Sequence, residues 1–177
     1  GPEGLDLAWY RARYGDIVYR AYPPVSFASI PGYNRLLLSP AFYAGFADRE
    51  FMLICQTDAI ALRDELDAWC AQPFDYIGAP WPDGYSLMVN AGRFEGANGK
   101  LVRVGVGNGG FSLRRNRKAI ALLEEFAVIV NVFLQTGSSE DLFFAFMGAL
   151  SQGFVLPNEI TASRFALELA PSYYFHV

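Results

Sequence analysis

An apolar block, Phe51-Met52-Leu53-Ile54-Cys55, runs directly into the polar Gln56-Thr57-Asp58. It is too apolar for a half-solvated edge strand and too short for a typical helix. It therefore predicts the central strand of an α/β sheet, with Asp58 delivered to the strand tip where ligands of such sheets gather. Asp58 capping the turn that follows is an equally good reading of the same residues.

Around this strand the pattern predicts further elements. Residues 5–14 mix apolar and basic positions at helical spacing, and residues 17–22 read as a strand stopped by Pro23-Pro24. Residues 33–38 supply one or two helical turns. Ser39-Pro40 then reads as an N-cap with proline at the first helical position, opening a helix to Phe46. Residues 63–71 form a short amphipathic helix and 74–81 a strand that leaves through Gly78 and Pro80. Residues 82–100, rich in Gly, Asn and Asp, read as a loop of the kind that serves as a mobile flap. Strands at 102–106 and 111–114 flank a turn at Gly107-Asn108-Gly109-Gly110, and a long helix follows over 117–134. A helix from Ser139, another over 158–164 and a last strand at 165–169 complete the reading.

Composition narrows the class. The chain has 177 residues, enough for one domain with a real core, and its 53% hydrophobic and 16% aromatic content excludes disorder and points to surface left for a partner. A net charge of −4 gives no general attraction to nucleic acid or anionic membrane. Residues 119–134 are interrupted by Glu124, Glu125 and Asn131, so no transmembrane span is expected. Two cysteines, Cys55 and Cys70, lack metal-ligand spacing and read as buried thiols in a reducing, cytoplasmic compartment.

Three groups carry candidate chemistry. Gly105 to Gly110 satisfies the letters of a dinucleotide fingerprint, but the extended look of Phe111-Ser112-Leu113 denies it the helix that fingerprint needs. The glycines read better as positions where backbone approaches a ligand or takes positive φ, with a purely structural bulge as the alternative. Ser138-Ser139-Glu140-Asp141 places two acids in the first turn of a helix. Ser138 with Asp141 fits a capping-box-like start, yet an acid held there beside a cleft also suits a general base. His176, the single histidine, is either an incidental surface group or a metal ligand.

Five blocks occur in one order: Tyr33-Asn34-Arg35-Leu36-Leu37-Leu38, Leu53-Ile54-Cys55-Gln56-Thr57-Asp58-Ala59, Asp75-Tyr76-Ile77-Gly78-Ala79-Pro80-Trp81, Gly107-Asn108-Gly109-Gly110-Phe111-Ser112-Leu113-Arg114 and Glu140-Asp141-Leu142-Phe143-Phe144. Together they resemble the DUF5672 family, bacterial and fungal proteins regarded as glycosyltransferases. The resemblance runs from about Tyr33 to His176. It implies a GT-A-like, Rossmann-like α/β fold, a mixed sheet flanked by helices, forming a single domain over residues 1–177.

In GT-A enzymes a strand-end Asp-x-Asp holds a divalent metal on a nucleotide-sugar diphosphate, and here the triplet is Gln56-Thr57-Asp58. The resemblance thus implies Mn²⁺ or Mg²⁺ held by Asp58 and His176, although an amide at Gln56 serves a hard cation less well than a carboxylate. It implies Asp141 as catalytic base with Glu140 beside it. Gln56, Trp81, Asn108, Gly109, Gly110 and Arg114 are the implied substrate-binding residues, with Arg114 or Arg115 placing charge on the diphosphate. The expected activity is sugar transfer from a nucleotide-sugar donor to a glycan acceptor, inverting and metal-dependent, in synthesis of a surface polysaccharide. A non-catalytic carbohydrate-binding or assembly module is the alternative, and a hydrolase using Asp58 and Asp141 a distant third. GT-A enzymes begin with a nucleotide-binding βαβ unit for which there is too little sequence before Tyr33. The expectation is therefore either a truncated catalytic half, completed by an N-terminal half or a partner subunit, or a shortened module that binds sugar or a partner without catalysing transfer.

Overall fold

In the computed structural model, residues 1–89 and 99–174 are described. Helix α1 (Ala8–Tyr14), a 3-10 turn at Pro24–Ser26, α2 (Ile30–Leu37) and α3 (Pro40–Ala44) precede strand β1 (Phe51–Cys55). Helix α4 (Leu66–Cys70) leads to the long strands β2 (Tyr76–Val89) and β3 (Lys100–Arg115). Helices α5 (Asn116–Glu125), α6 (Ala127–Thr136), α7 (Glu140–Leu150), α8 (Glu159–Phe165) and α9 (Pro171–Tyr174) follow. The fold is mixed α/β, as expected, but its described sheet is three-stranded with order β1-β3-β2 and every pairing is antiparallel.

This corrects the reading of the first strand. Residues 51–55 lie at the sheet edge and β3 occupies the centre. Only Ile54 of β1 is fully buried, so an apolar run that looked covered on both faces is in fact partly solvated. Cys55 is exposed and Cys70 partly so, against the expectation of two buried thiols.

Strand β3 is continuous where a turn was expected. Residues 107–110 form an irregularity inside it, with register shifts against β2 between Ile77 and Tyr85. Glycine is what permits this. Gly107 has φ +150°, and a Cβ on Gly78 would stand 2.2 Å from the Asn108 carbonyl oxygen, so the two strands close up only because that atom is missing. The same device rewrites the predicted flap. Residues 82–89 belong to β2, with Gly84 at φ +61° absorbing a bulge between Pro80 and Tyr85, while 90–98 lie outside the described residues.

The helices pack on one another and on the central strand. Helix α7 is apolar nearly all round, and Phe143, Phe144, Ala145, Phe146 and Met147 are all buried in the main core, where the helix lies against β3. The predicted long helix breaks at Phe126, whose φ −113° and ψ 33° leave the helical region, and α6 departs at 86° from α5. Turning there buries Phe126 itself together with Val130 and Phe133. Among the described residues no single helix is long and apolar enough to cross a membrane.

Two further predicted strands are absent. Residues 17–22 make one isolated bridge, Tyr22 to Pro2, and Val18 is almost wholly exposed. Residues 165–169 follow α8, which Asn158 caps by accepting from Thr161 N–H at 2.8 Å and which runs on to Phe165. The Phe165 ring then packs on Trp69 and Phe111, with centroids 5.2 and 5.3 Å away, so it serves side-chain packing and not a ladder.

Candidate functional site

Four chain segments meet around an open cleft of about 680 Å³. Residues 27–30 with Tyr33 and Asn34 form one wall, from the approach to α2 and its first turns. Gln56 and Thr57 enter from the end of β1. Asn108, Gly109 and Gly110 supply the floor from the bulge of β3, and Ser139, Glu140 and Asp141 close the cleft at the start of α7.

Local chemistry explains why these parts converge. The backbone N–H of Gln56 donates to the Gly110 carbonyl at 2.9 Å, extending the β1–β3 ladder past the strand proper. Gly109 allows β3 to pass under α7, since a Cβ there would lie 2.9 Å from Glu140 Oε1 and 3.1 Å from the Asp141 Cβ. Asn34 Nδ2 reaches the Ser138 carbonyl at 3.5 Å, a long contact that joins α2 to the entry of α7.

Beneath the floor lies a buried polar network. Arg114 is 0% exposed, and its Nη1 and Nη2 donate to Glu140 Oε2 and Oε1 at 3.0 Å each. Nη1 also donates to the Tyr43 hydroxyl at 2.8 Å, and that hydroxyl donates to the Leu37 carbonyl at 3.0 Å. Nε donates to Ser112 Oγ at 3.1 Å, which in turn donates to the Gly109 carbonyl at 3.0 Å. The rings of Tyr76 and Phe144 stack 5.4 Å apart, and the guanidinium lies 5.0 and 4.9 Å from their centroids. Each guanidinium nitrogen is therefore met inside the core, as an unpaired buried charge would cost far more than the pair returns.

These surroundings shift the ionisable groups. Burial works against the Arg114 charge, but Glu140 and the flanking phenols hold its pKa well above the ordinary value. Burial pushes the Glu140 carboxyl upward, with the guanidinium and its two charge-assisted hydrogen bonds pulling the other way. Tyr43 and Tyr76 are raised as well, chiefly by burial. Tyr33, on the cleft wall, is raised by burial and then by the Glu140 charge.

The expected site residues divide accordingly. Gln56, Asn108, Gly109, Gly110, Glu140 and Asp141 are brought together on the cleft. Arg114 sits beneath it with each guanidinium nitrogen hydrogen-bonded in the core, and Arg115 is turned away to pair with Glu50 and Asp75. Trp81 is 5% exposed and packs in the core against Tyr85, away from the cleft walls. Asp58 stands exposed on the turn after β1 and does not line the cleft. His176 lies outside the described residues.

Asp141 is only partly buried. Its Oδ1 accepts from the Ser139 hydroxyl and from the Leu142 N–H, the latter at 2.7 Å. Ser139, not Ser138, is the N-cap of α7, and its side chain makes no capping bond to the helix backbone. The expected Ser138–Asp141 capping box is thus replaced by a Ser139–Asp141 pair facing the cleft. Tyr33, Thr57, Ser139 and Phe27 are cleft residues that sequence reasoning did not single out. Tyr33 was within reach, because it opens the first of the blocks shared with the family.

No grouping of three or more His, Cys, Asp or Glu side chains suited to a metal occurs among the described residues. Of the expected pair of metal ligands, Asp58 is an exposed carboxylate and His176 lies outside the described residues, and Mn²⁺ or Mg²⁺ takes several oxygens.

A family model described as a protein of unknown function, DUF5672, matches residues 16–177, and the chain belongs to that family. No curated protein and no solved structure matches it.

Proposed function

We propose that this chain is a glycosyltransferase, or the acceptor-binding part of one, in which Asp141 is the base. What carries the reading is Asp141 itself: a partly exposed carboxylate, fixed at a helix start, on the wall of a cleft whose other polar side chains are amides, hydroxyls and the Arg114-bound Glu140. Its neighbour Glu140 is spent on Arg114, so the two acids have separate tasks. Glu140 fixes the first turn of α7 against β3, and Asp141 remains free to work.

In the proposed step an acceptor hydroxyl attacks the anomeric carbon of a nucleotide sugar. The new carbon–oxygen bond forms as the bond to the diphosphate oxygen breaks, the diphosphate departs with that electron pair, and Asp141 takes the hydroxyl proton. Gln56 and Asn108 orient the acceptor through hydrogen bonds. The GT-A relationship and the metal rest on the family resemblance. The antiparallel pairings of the described sheet and the described residues, which hold no metal-donor grouping, give them no support, and the chemistry assigned here is acid–base catalysis and positioning.

A panel of nucleotide sugars and oligosaccharides, followed by nucleotide release, tests this. Turnover by the wild type that falls about 10²- to 10⁴-fold in Asp141→Asn is the expected result. A second reading, a glycan-binding module without catalysis, is favoured by the absence of cationic side chains among the described residues of the cleft walls. Saccharide binding with no nucleotide release under any donor would select it.

A further inference from the structure

The cleft walls are chemically one-sided, and this bears on which of two substrates they take. No lysine, arginine or histidine is found among the described residues that line it. Arg114, directly below, is fully buried with both Nη atoms engaged by Glu140, so it offers nothing to a ligand. The Asp141 carboxylate has no ion-pair partner among the described residues, and Glu168 brings another acid to within 3.5 Å of the Cβ position of Gly110. Among the described residues, a phosphate entering this space meets like charge and no cationic partner.

What the walls do present is different. Gln56 and Asn108 contribute side-chain amides, Tyr33 and Thr57 hydroxyls, and Phe27 and Ile30 apolar surface, with Ile30 76% exposed until something covers it. Amides and hydroxyls both donate and accept, so they match the hydroxyl array of a sugar ring, while the apolar wall matches its C–H face.

We propose that this cleft seats an uncharged saccharide, the hydroxyl-bearing partner of the transfer, and that the nucleotide diphosphate is held by other groups. Naming that saccharide the acceptor rests on the transferase reading above; the preference for an uncharged ring over a phosphate rests on the cleft walls alone.

The test is calorimetry and saturation-transfer NMR on the whole chain with neutral oligosaccharides, their uronate-bearing counterparts, UDP and GDP, repeated on Gln56→Ala and Asp141→Asn. Thermal unfolding of each variant confirms that it folds. A neutral oligosaccharide should bind, about fivefold or more weakly in Gln56→Ala. The uronate counterpart should bind the wild type about tenfold more weakly than the neutral one, and Asp141→Asn should narrow that gap. Uronates binding as tightly as neutral sugars, or UDP or GDP binding that Gln56→Ala weakens, overturns the proposal and leaves the transferase reading standing. Neutral saccharide binding without consumption of any nucleotide sugar keeps the cleft assignment and overturns the transferase reading instead. If nothing in the panel binds, the cleft assignment falls.

Discussion

The floor of the cleft and its rim are built on opposite terms. Under the floor, Arg114, Glu140, Tyr43 and Ser112 form a closed set in which each polar group has its partner and almost no surface reaches water. At the rim, Phe27, Ile30, Gln56 and Thr57 stand in solvent. The difference teaches that neighbouring residues of like chemistry can have unrelated work. Glu140 and Asp141 are adjacent acids, yet the first is a buried structural counter-ion and the second is the carboxylate the cleft can use.

Substitutions should separate the two regions sharply. The largest effect is expected from Glu140→Ala, which strands the Arg114 charge in the core and should cost about 3–5 kcal/mol in denaturant unfolding. The double change Arg114→Met with Glu140→Leu should fall closer to wild type than either single change, because no buried charge is then left alone. Next comes Gly109→Ala. Its new Cβ would meet Glu140 Oε1 at 2.9 Å, and the shift needed to relieve this should cost about 1–3 kcal/mol by the same measurement.

Alkaline pH should reach the floor more gradually. Tyr43 and Tyr76 have folded pKa values raised above the ordinary 10.0, so folding keeps protons that the unfolded chain releases. The stability they contribute is complete below that pH and is lost as pH rises beyond it. Ultraviolet titration should show late phenolate absorbance that appears together with unfolding; two buried tyrosines ionising normally in the folded protein would contradict the network. The smallest effect belongs to the exposed turn after β1, outside the cleft. Asp58→Ala should leave the thermal midpoint unchanged, since the side chain is exposed.

Much of this division was legible in the sequence, though not its geometry. The blocks around Gln56, residues 107–110 and Glu140-Asp141 pointed to the right segments, and all three meet at the cleft. Capping and helix-start residues placed α3, α7 and α8 to within a residue or two at their N-termini. The sheet was harder. An apolar run cannot tell an edge strand from a central one when a helix layer covers only part of it, so β1 was misplaced. Gly and Pro read as loop signals over 78–84, whereas β2 absorbs them as bulges against β3. The ion pair was invisible for another reason: Arg114 and Glu140 are 26 positions apart, and nothing local marks an arginine as buried. That is why Arg114 was expected on a diphosphate and is found under the floor.

The most direct measurement compares Asp141→Asn and Asp58→Ala in one transfer assay, using the donor and acceptor pair that the wild type turns over best, with thermal unfolding recorded for both. Asp141→Asn should lose about a hundredfold or more in kcat while Asp58→Ala keeps most of it and both stay folded. The reverse pattern, with turnover lost at Asp58 and retained at Asp141, would contradict the account.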